Sequence, residues 1–162
     1  MKIMVVTGSR TLGDLKSPKR AAALEAFRSF MFEWWDSSFP EDQLVVVSGE
    51  AQGPDTWAST WVSLRNEAAA TVGKKSNVSH MQIRCDGRIF TSPDGDISIW
   101  SPSPVHPLER NKRIVQEASR MSCDGHDVRC LALHDKDSST NGTMHTVRLM
   151  KEVGLEGTIK VF

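Results

Sequence analysis

Twice in the first third of the chain an apolar run ends in a glycine turn and leads into a helix-like stretch. The first is Val6-Thr7-Gly8-Ser9-Arg10, and the second runs Val47-Ser48-Gly49-Glu50-Ala51-Gln52-Gly53-Pro54-Asp55. Glycine lets the backbone turn sharply and approach a ligand closely. A helix that starts after such a turn directs unpaired N–H groups and its positive dipole end at a phosphate or carboxylate. The repeated pattern points to an α/β layout and to a nucleotide-type binder.

The rest of the chain keeps this alternation. Residues 2–7 and 43–48 are short β-branched runs of the kind buried on both faces of a sheet. Between them, residues 18–36 carry Ala22, Leu24, Phe27, Phe30, Met31, Trp34 and Trp35 at helical spacing behind Pro18. Pro54 opens a second helix, with Trp57, Ala58, Trp61 and Val62 on its apolar side, running to about Ala70. Val78 to Cys85 reads as a third strand. Residues 86–107 collect Gly, Pro, Ser and Asp and read as a long loop with room for a hairpin around Pro93, Asp94 and Gly95. Leu108 to Met121 (helix), Val128 to His134 (strand), Gly142 to Val153 (helix) and Thr158 to Phe162 (strand) complete the order. Parallel neighbours need right-handed crossovers, so this order predicts a Rossmann-like three-layer α/β/α fold. Its sheet is expected to be mainly parallel, five-stranded or slightly larger, within a single domain over residues 1–162.

Composition narrows the partners. Twenty Lys and Arg balance twenty Asp and Glu, so no global field draws the chain to a polynucleotide or an anionic membrane. Neither is expected as a partner. Cys85, Cys123 and Cys130 are odd in number and lack a CxxC spacing, and no leader or long apolar run is evident. A cytoplasmic, soluble protein is expected, with Cys85 and Cys130 acting as small apolar strand residues. His134, His145, His80, His106 and His126 have no metal-ligand spacing, so no metal and no cofactor are expected. The aromatic stretch Phe27 to Trp35 offers apolar surface beyond what one sheet covers, which favours a homodimer or higher homo-oligomer.

In such a sheet a ligand lies outside the carboxyl ends of the strands, where strand order reverses. The loops at 7–14, 48–55 and 135–143 should converge there. The third is rich in hydroxyl and amide groups, with Ser138, Ser139, Thr140, Asn141 and Thr143 as donors and Gly142-Thr143 opening a helix. Arg110 and Arg113 stand three apart near a helix start, where the dipole disfavours cations, so an anion role is expected of at least one of them. Arg10, directly after a buried strand and a glycine, is expected at the ligand. Trp100, in the long loop, is the aromatic candidate for stacking on a base.

Four segments carry a resemblance: Gly8-Ser9-Arg10; Ser48 to Asp55 followed by Trp57-Ala58; Arg110-Asn111-Lys112-Arg113; and Asn141-Gly142-Thr143 before Val147-Arg148. In this order they resemble the YspA-type branch of the SLOG superfamily, which includes the LONELY GUY phosphoribohydrolases and the Smf/DprA proteins. The resemblance implies a Rossmann-like fold that binds a nucleotide or nucleotide-derived ligand. The cradle it implies comprises Gly8, Ser9, Arg10, Ser48, Gly49, Gly53, Asp55, Gly142 and Thr143. LONELY GUY enzymes carry a glutamate three residues after the threonine of the Gly-Thr turn, and here that position is Thr146. Threonine supplies neither the charge nor the basicity that N-glycosidic cleavage uses. A binding or sequestering domain is therefore the first expectation. The alternative is a nucleotide hydrolase or transferase acting through Glu50, Asp55 or Glu109, with Arg110 or Arg113 on the phosphate. DNA handling of the Smf/DprA kind would need a basic surface that this composition lacks.

Overall fold

The computed structural model describes residues 1–38 and 41–162. Its strands are β1 (Lys2–Gly8), β2 (Leu44–Ser48), β3 (Val78–Arg84), β4 (Gly87–Ser92), β5 (Gly95–Trp100), β6 (Asp127–His134) and β7 (Glu156–Val161). The helices are α1 (Arg20–Trp34), α2 (Pro54–Thr71), α3 (Pro107–Cys123) and α4 (Gly142–Glu152). All seven strands join one sheet in the order β5-β4-β3-β2-β1-β6-β7. Five of them, β3-β2-β1-β6-β7, are parallel. The fold is a Rossmann-like three-layer α/β/α.

Both faces of the parallel strands are covered, which is why they read as unbroken apolar runs. Along β1 the side chains alternate. Met4 and Val6 pack with Phe27, Met31, Trp57 and Trp61 of α1 and α2, whereas Ile3 and Val5 pack with Ile114, Val115 and Met121 of α3 and Met150 of α4. The aromatic stretch of α1 is thereby largely accounted for within the chain. Phe27, Met31 and Trp35 are buried, Phe30 and Trp34 pack on the same core, and Phe32 faces outward. Most of the apolar surface on which a homo-oligomer was expected is therefore packed within the chain, with Phe30 and Trp34 partly buried and Phe32 exposed.

The segment expected as a long loop is largely regular. β4 and β5 form an antiparallel hairpin that extends the sheet beyond β3, with Ser92 opposite Gly95 across the Pro93-Asp94 turn. The polar residues that suggested a loop sit mainly at the ends of this hairpin. Between them, Ile89, Phe90 and Thr91 and then Ile97, Ile99 and Trp100 are ordinary strand formers. Cys130 is buried in β6, and burial pushes its thiol up to about 12. Cys85 lies just past β3, half-buried, rather than within it. Among the described residues no helix is long and apolar enough to cross a membrane.

Candidate functional site

Strand order reverses at β1, which has β2 on one side and β6 on the other. A cleft of about 770 Å³ opens at the carboxyl ends of these strands, a size typical of small-molecule sites. Its lining comes from the end of β1 (Thr7 to Arg10), the segment before and opening α2 (Ala51, Asp55), the start of α3 (His106 to Leu108, Arg110, Asn111) and the first turns of α4 with the residues before it (Thr140 to His145, Arg148). Helices return antiparallel to parallel strands, so α2, α3 and α4 all present their N-termini here. His106 caps α3 through Nδ1, which accepts from the Leu108 N–H at 3.2 Å. No side chain caps α2 or α4, and their first-turn N–H groups are available to an anion.

Arg110 is the residue that sets the chemistry of this cleft. It is 6 % exposed. One nitrogen, Nη2, donates to Asn111 Oδ1 at 3.0 Å, while Nε and Nη1 are buried with no hydrogen-bond partner among the described residues. Asn111 is held in turn by donation from Nδ2 to the Gly142 carbonyl at 3.3 Å, which links the guanidinium to the start of α4. A buried guanidinium with two of its nitrogens unbonded is costly in a folded protein. Arg10 and Arg148 add positive charge at the same cleft, so a neutral chain has a locally cationic pocket.

Asp55 faces the same space from the first turn of α2. Its Oδ2 accepts from the Ala51 N–H at 3.1 Å. Burial pushes its carboxyl up to about 7, against the lowering pull of Arg110, the Ala51 N–H and Arg10, and nearby Glu50 adds to the rise. Gly49 explains how the two groups fit together. A Cβ there would lie 2.7 Å from Asp55 Oδ2 and 3.1 Å from Arg110 Cζ. Gly8, Gly13 and Gly53 serve loop packing. A Cβ on Gly8 would enter the Pro54 ring, and one on Gly13 would lie 2.5 Å from the Gly53 Cα. The two glycine segments are thus packed against each other, with Gly53 at φ +89° where glycine is favoured.

Ser9 joins three elements. Its Oγ accepts the Asp135 N–H at 2.9 Å and lies 3.4 Å from His134 Nδ1 and 3.5 Å from Thr143 Oγ1. Behind it, Asp135 accepts from Thr11 Oγ1 and from Lys19 Nζ, both at 2.5 Å, and these bonds hold its carboxyl down at about 2. Replacing Ser9 by Ala leaves a buried N–H unpaired. The expected result is a loss of about 1–2 kcal/mol in chemical denaturation.

Of the residues expected at the ligand, Gly8, Ser9, Arg10, Asp55, Arg110, Asn141, Gly142 and Thr143 line the cleft. The others stand elsewhere. Ser48 is buried beneath the loop, 2.8 Å from His80 Nε2, and burial holds that imidazole down at about 4. Gly49 and Gly53 back the site without lining it. Glu50 turns toward the hairpin, where it pairs with Arg84 at 3.2 Å and accepts the Cys85 N–H at 3.1 Å. Glu109 pairs with Lys112 on the surface. Ser139 is exposed outside the cleft. Trp100 belongs to β5, with the Arg84 guanidinium 5.3 Å from its ring centroid, and together with Arg113 it lines a separate groove between the hairpin and α3. The two arginines are therefore divided between two depressions. Thr146 is buried and donates to the Gly142 carbonyl one turn back, at 3.2 Å.

Sequence reasoning missed Asn111, His106, Met144 and His145. Asn111 lay inside a noted segment but reads as an ordinary helix residue until its link to Gly142 is seen. His145 has a buried Nδ1 with no hydrogen-bond partner among the described residues. Among the described residues no group of three or more His, Cys, Asp or Glu side chains is placed to hold a metal ion. Comparison of the chain with protein-family models, with curated proteins and with solved structures finds no match.

Proposed function

We propose that the cleft binds a nucleotide or a nucleotide-derived small molecule, with a phosphate on Arg110 and the first turn of α4. The observation that carries this reading is the buried guanidinium with two unpaired nitrogens in a cleft between uncapped helix starts. An anionic acceptor satisfies such a group best, and phosphate matches its planar fork. Pro107, Leu108 and Met144 offer an apolar wall for a base at the same cleft. The four-segment resemblance to the SLOG superfamily supports the same ligand class.

The test is a panel of nucleoside mono-, di- and cyclic phosphates and ADP-ribose derivatives, read by calorimetry and thermal shift, with each nucleoside as its own control. Saturable binding of phosphate-bearing members with at least tenfold weaker binding of the nucleoside is expected. Equal binding of nucleoside and nucleotide would remove the phosphate from the model. One observation favours hydrolysis as a second reading. Asp55 is a cleft carboxyl that burial brings up to about 7, within the range of a general acid at neutral pH. Base release, followed by mass spectrometry and abolished by Asp55→Asn, separates this from simple binding.

A further inference from the structure

We propose that the chain forms a two-fold dimer by antiparallel pairing of β5 with β5 of a second copy, so that the two sheets become one. β5 is one border of the sheet, and among the described residues nothing pairs with its outer side. Its inner side is bonded to β4 in unbroken register, Arg88 opposite Ile99 and Phe90 opposite Ile97. The Ser101 N–H donates to the Asp86 carbonyl at 2.8 Å, which sets the phase of this ladder. In an antiparallel pair alternate residues bond to the same neighbour. Ile97 and Ile99 therefore bond inward, and Asp96, Ser98 and Trp100 turn their N–H and C=O groups outward.

The two borders of the sheet differ in how they are protected. β7 carries Glu156 and Lys160, the kind of charge that keeps an edge from pairing. β5 has the sequence Gly-Asp-Ile-Ser-Ile-Trp, with one charge, no proline and no lysine. Ile97 is 64 % exposed, Ile99 50 % and Trp100 55 %. Ile97 shares a face with Phe90, which packs on the core beneath α3. The apolar face thus continues past the helix that covers it.

A second copy fits this edge because the strand is complementary to itself. With Ser98 opposite the partner's Ser98, Ile97 faces the partner's Ile99 and Ile99 faces the partner's Ile97, giving a cluster of four isoleucines. On the other face Asp96 meets the partner's Trp100. That indole already lies under Arg84, whose guanidinium is held by Asp86 and Glu50. No like charges stand opposite one another, and the pairing closes on itself as a two-fold contact must.

Light scattering on the full chain at high micromolar concentration is expected to give about twice the chain mass of 18.0 kDa. Ser98→Pro removes an N–H that faces outward, so it is expected to give a monomer with unchanged circular dichroism and thermal midpoint. Ile97→Lys and Ile99→Glu provide a test independent of proline. Each alone is expected to weaken association at least tenfold, and an equimolar mixture to restore the dimer by pairing the two new charges. A wild-type monomer at all concentrations overturns the proposal. So does a dimer indifferent to Ser98→Pro, or a failure of the mixture to restore association.

Discussion

Arg110→Met is expected to lose nucleotide affinity by about two orders of magnitude while raising the thermal midpoint of the ligand-free protein by about 2–12 °C. Both effects have one cause. In the free protein the guanidinium is buried with Nε and Nη1 unpaired. Replacing a buried ion whose hydrogen bonding is incomplete by an apolar side chain of similar length is worth about 1–3 kcal/mol, and about 2–4 °C per kcal/mol applies to a chain of this size. In the complex the same two nitrogens would form charge-assisted bonds of about 1.5–3 kcal/mol each, part of which offsets their desolvation, so a net loss near 100-fold follows. Arg110→Lys keeps the charge but not the fork and is expected to fall between wild type and Met in affinity. Differential scanning calorimetry with and without nucleotide reads both quantities. A ligand-free midpoint that falls for Met would show that Arg110 is held by the protein rather than reserved for a ligand.

Why this residue was legible while its neighbour misled is a matter of helix geometry. Arg110 and Arg113 are one turn apart, and the sequence pattern puts both on roughly one face. The cleft and the groove beside it divide that face between them, which only the placement of the β4-β5 hairpin decides. The parallel strands and their helices were legible because burial on both faces leaves unbroken β-branched runs and wide apolar stripes. The hairpin was not, because its two short strands lie between turn residues that dominate the local composition. Glu50 illustrates the same limit at the site. It lies in the glycine segment beside the cleft, but its carboxylate is claimed by Arg84 and the Cys85 N–H, both about 35 residues further along the chain. The glycine segments suggested close approach to a ligand, yet Gly8 is approached by Pro54 and Gly53 by Gly13.

Asp55→Asn is expected to stabilise the ligand-free protein by on the order of 2–4 kcal/mol at about pH 8 and by nothing at about pH 4. The carboxyl is raised from 3.8 to about 7 in the fold. A raised carboxyl contributes its stability below the ordinary value and loses it as pH climbs through the folded one, because the folded chain holds a proton that the unfolded chain has released. His80 works in the opposite direction. Burial lowers it from 6.5 to about 4, so its share of stability is present above 6.5 and disappears as pH falls through about 4. Between those limits the two groups oppose each other, and wild type is expected to show a nearly flat stability profile from about pH 4 to 6.5. Removing Asp55 exposes the His80 slope, and the variant should gain stability with rising pH across that interval. Chemical denaturation of both proteins at half-unit steps gives the difference curve, which should rise through the interval and level off above about pH 7. The same variant should bind nucleotide phosphate without the weakening toward alkaline pH expected of wild type, where an ionised Asp55 beside Arg110 competes with the ligand for that guanidinium. A parallel pair of profiles would mean that Asp55 is ionised in the fold, and the carboxyl would then be a counterion of Arg110 instead of a proton donor in the cleft.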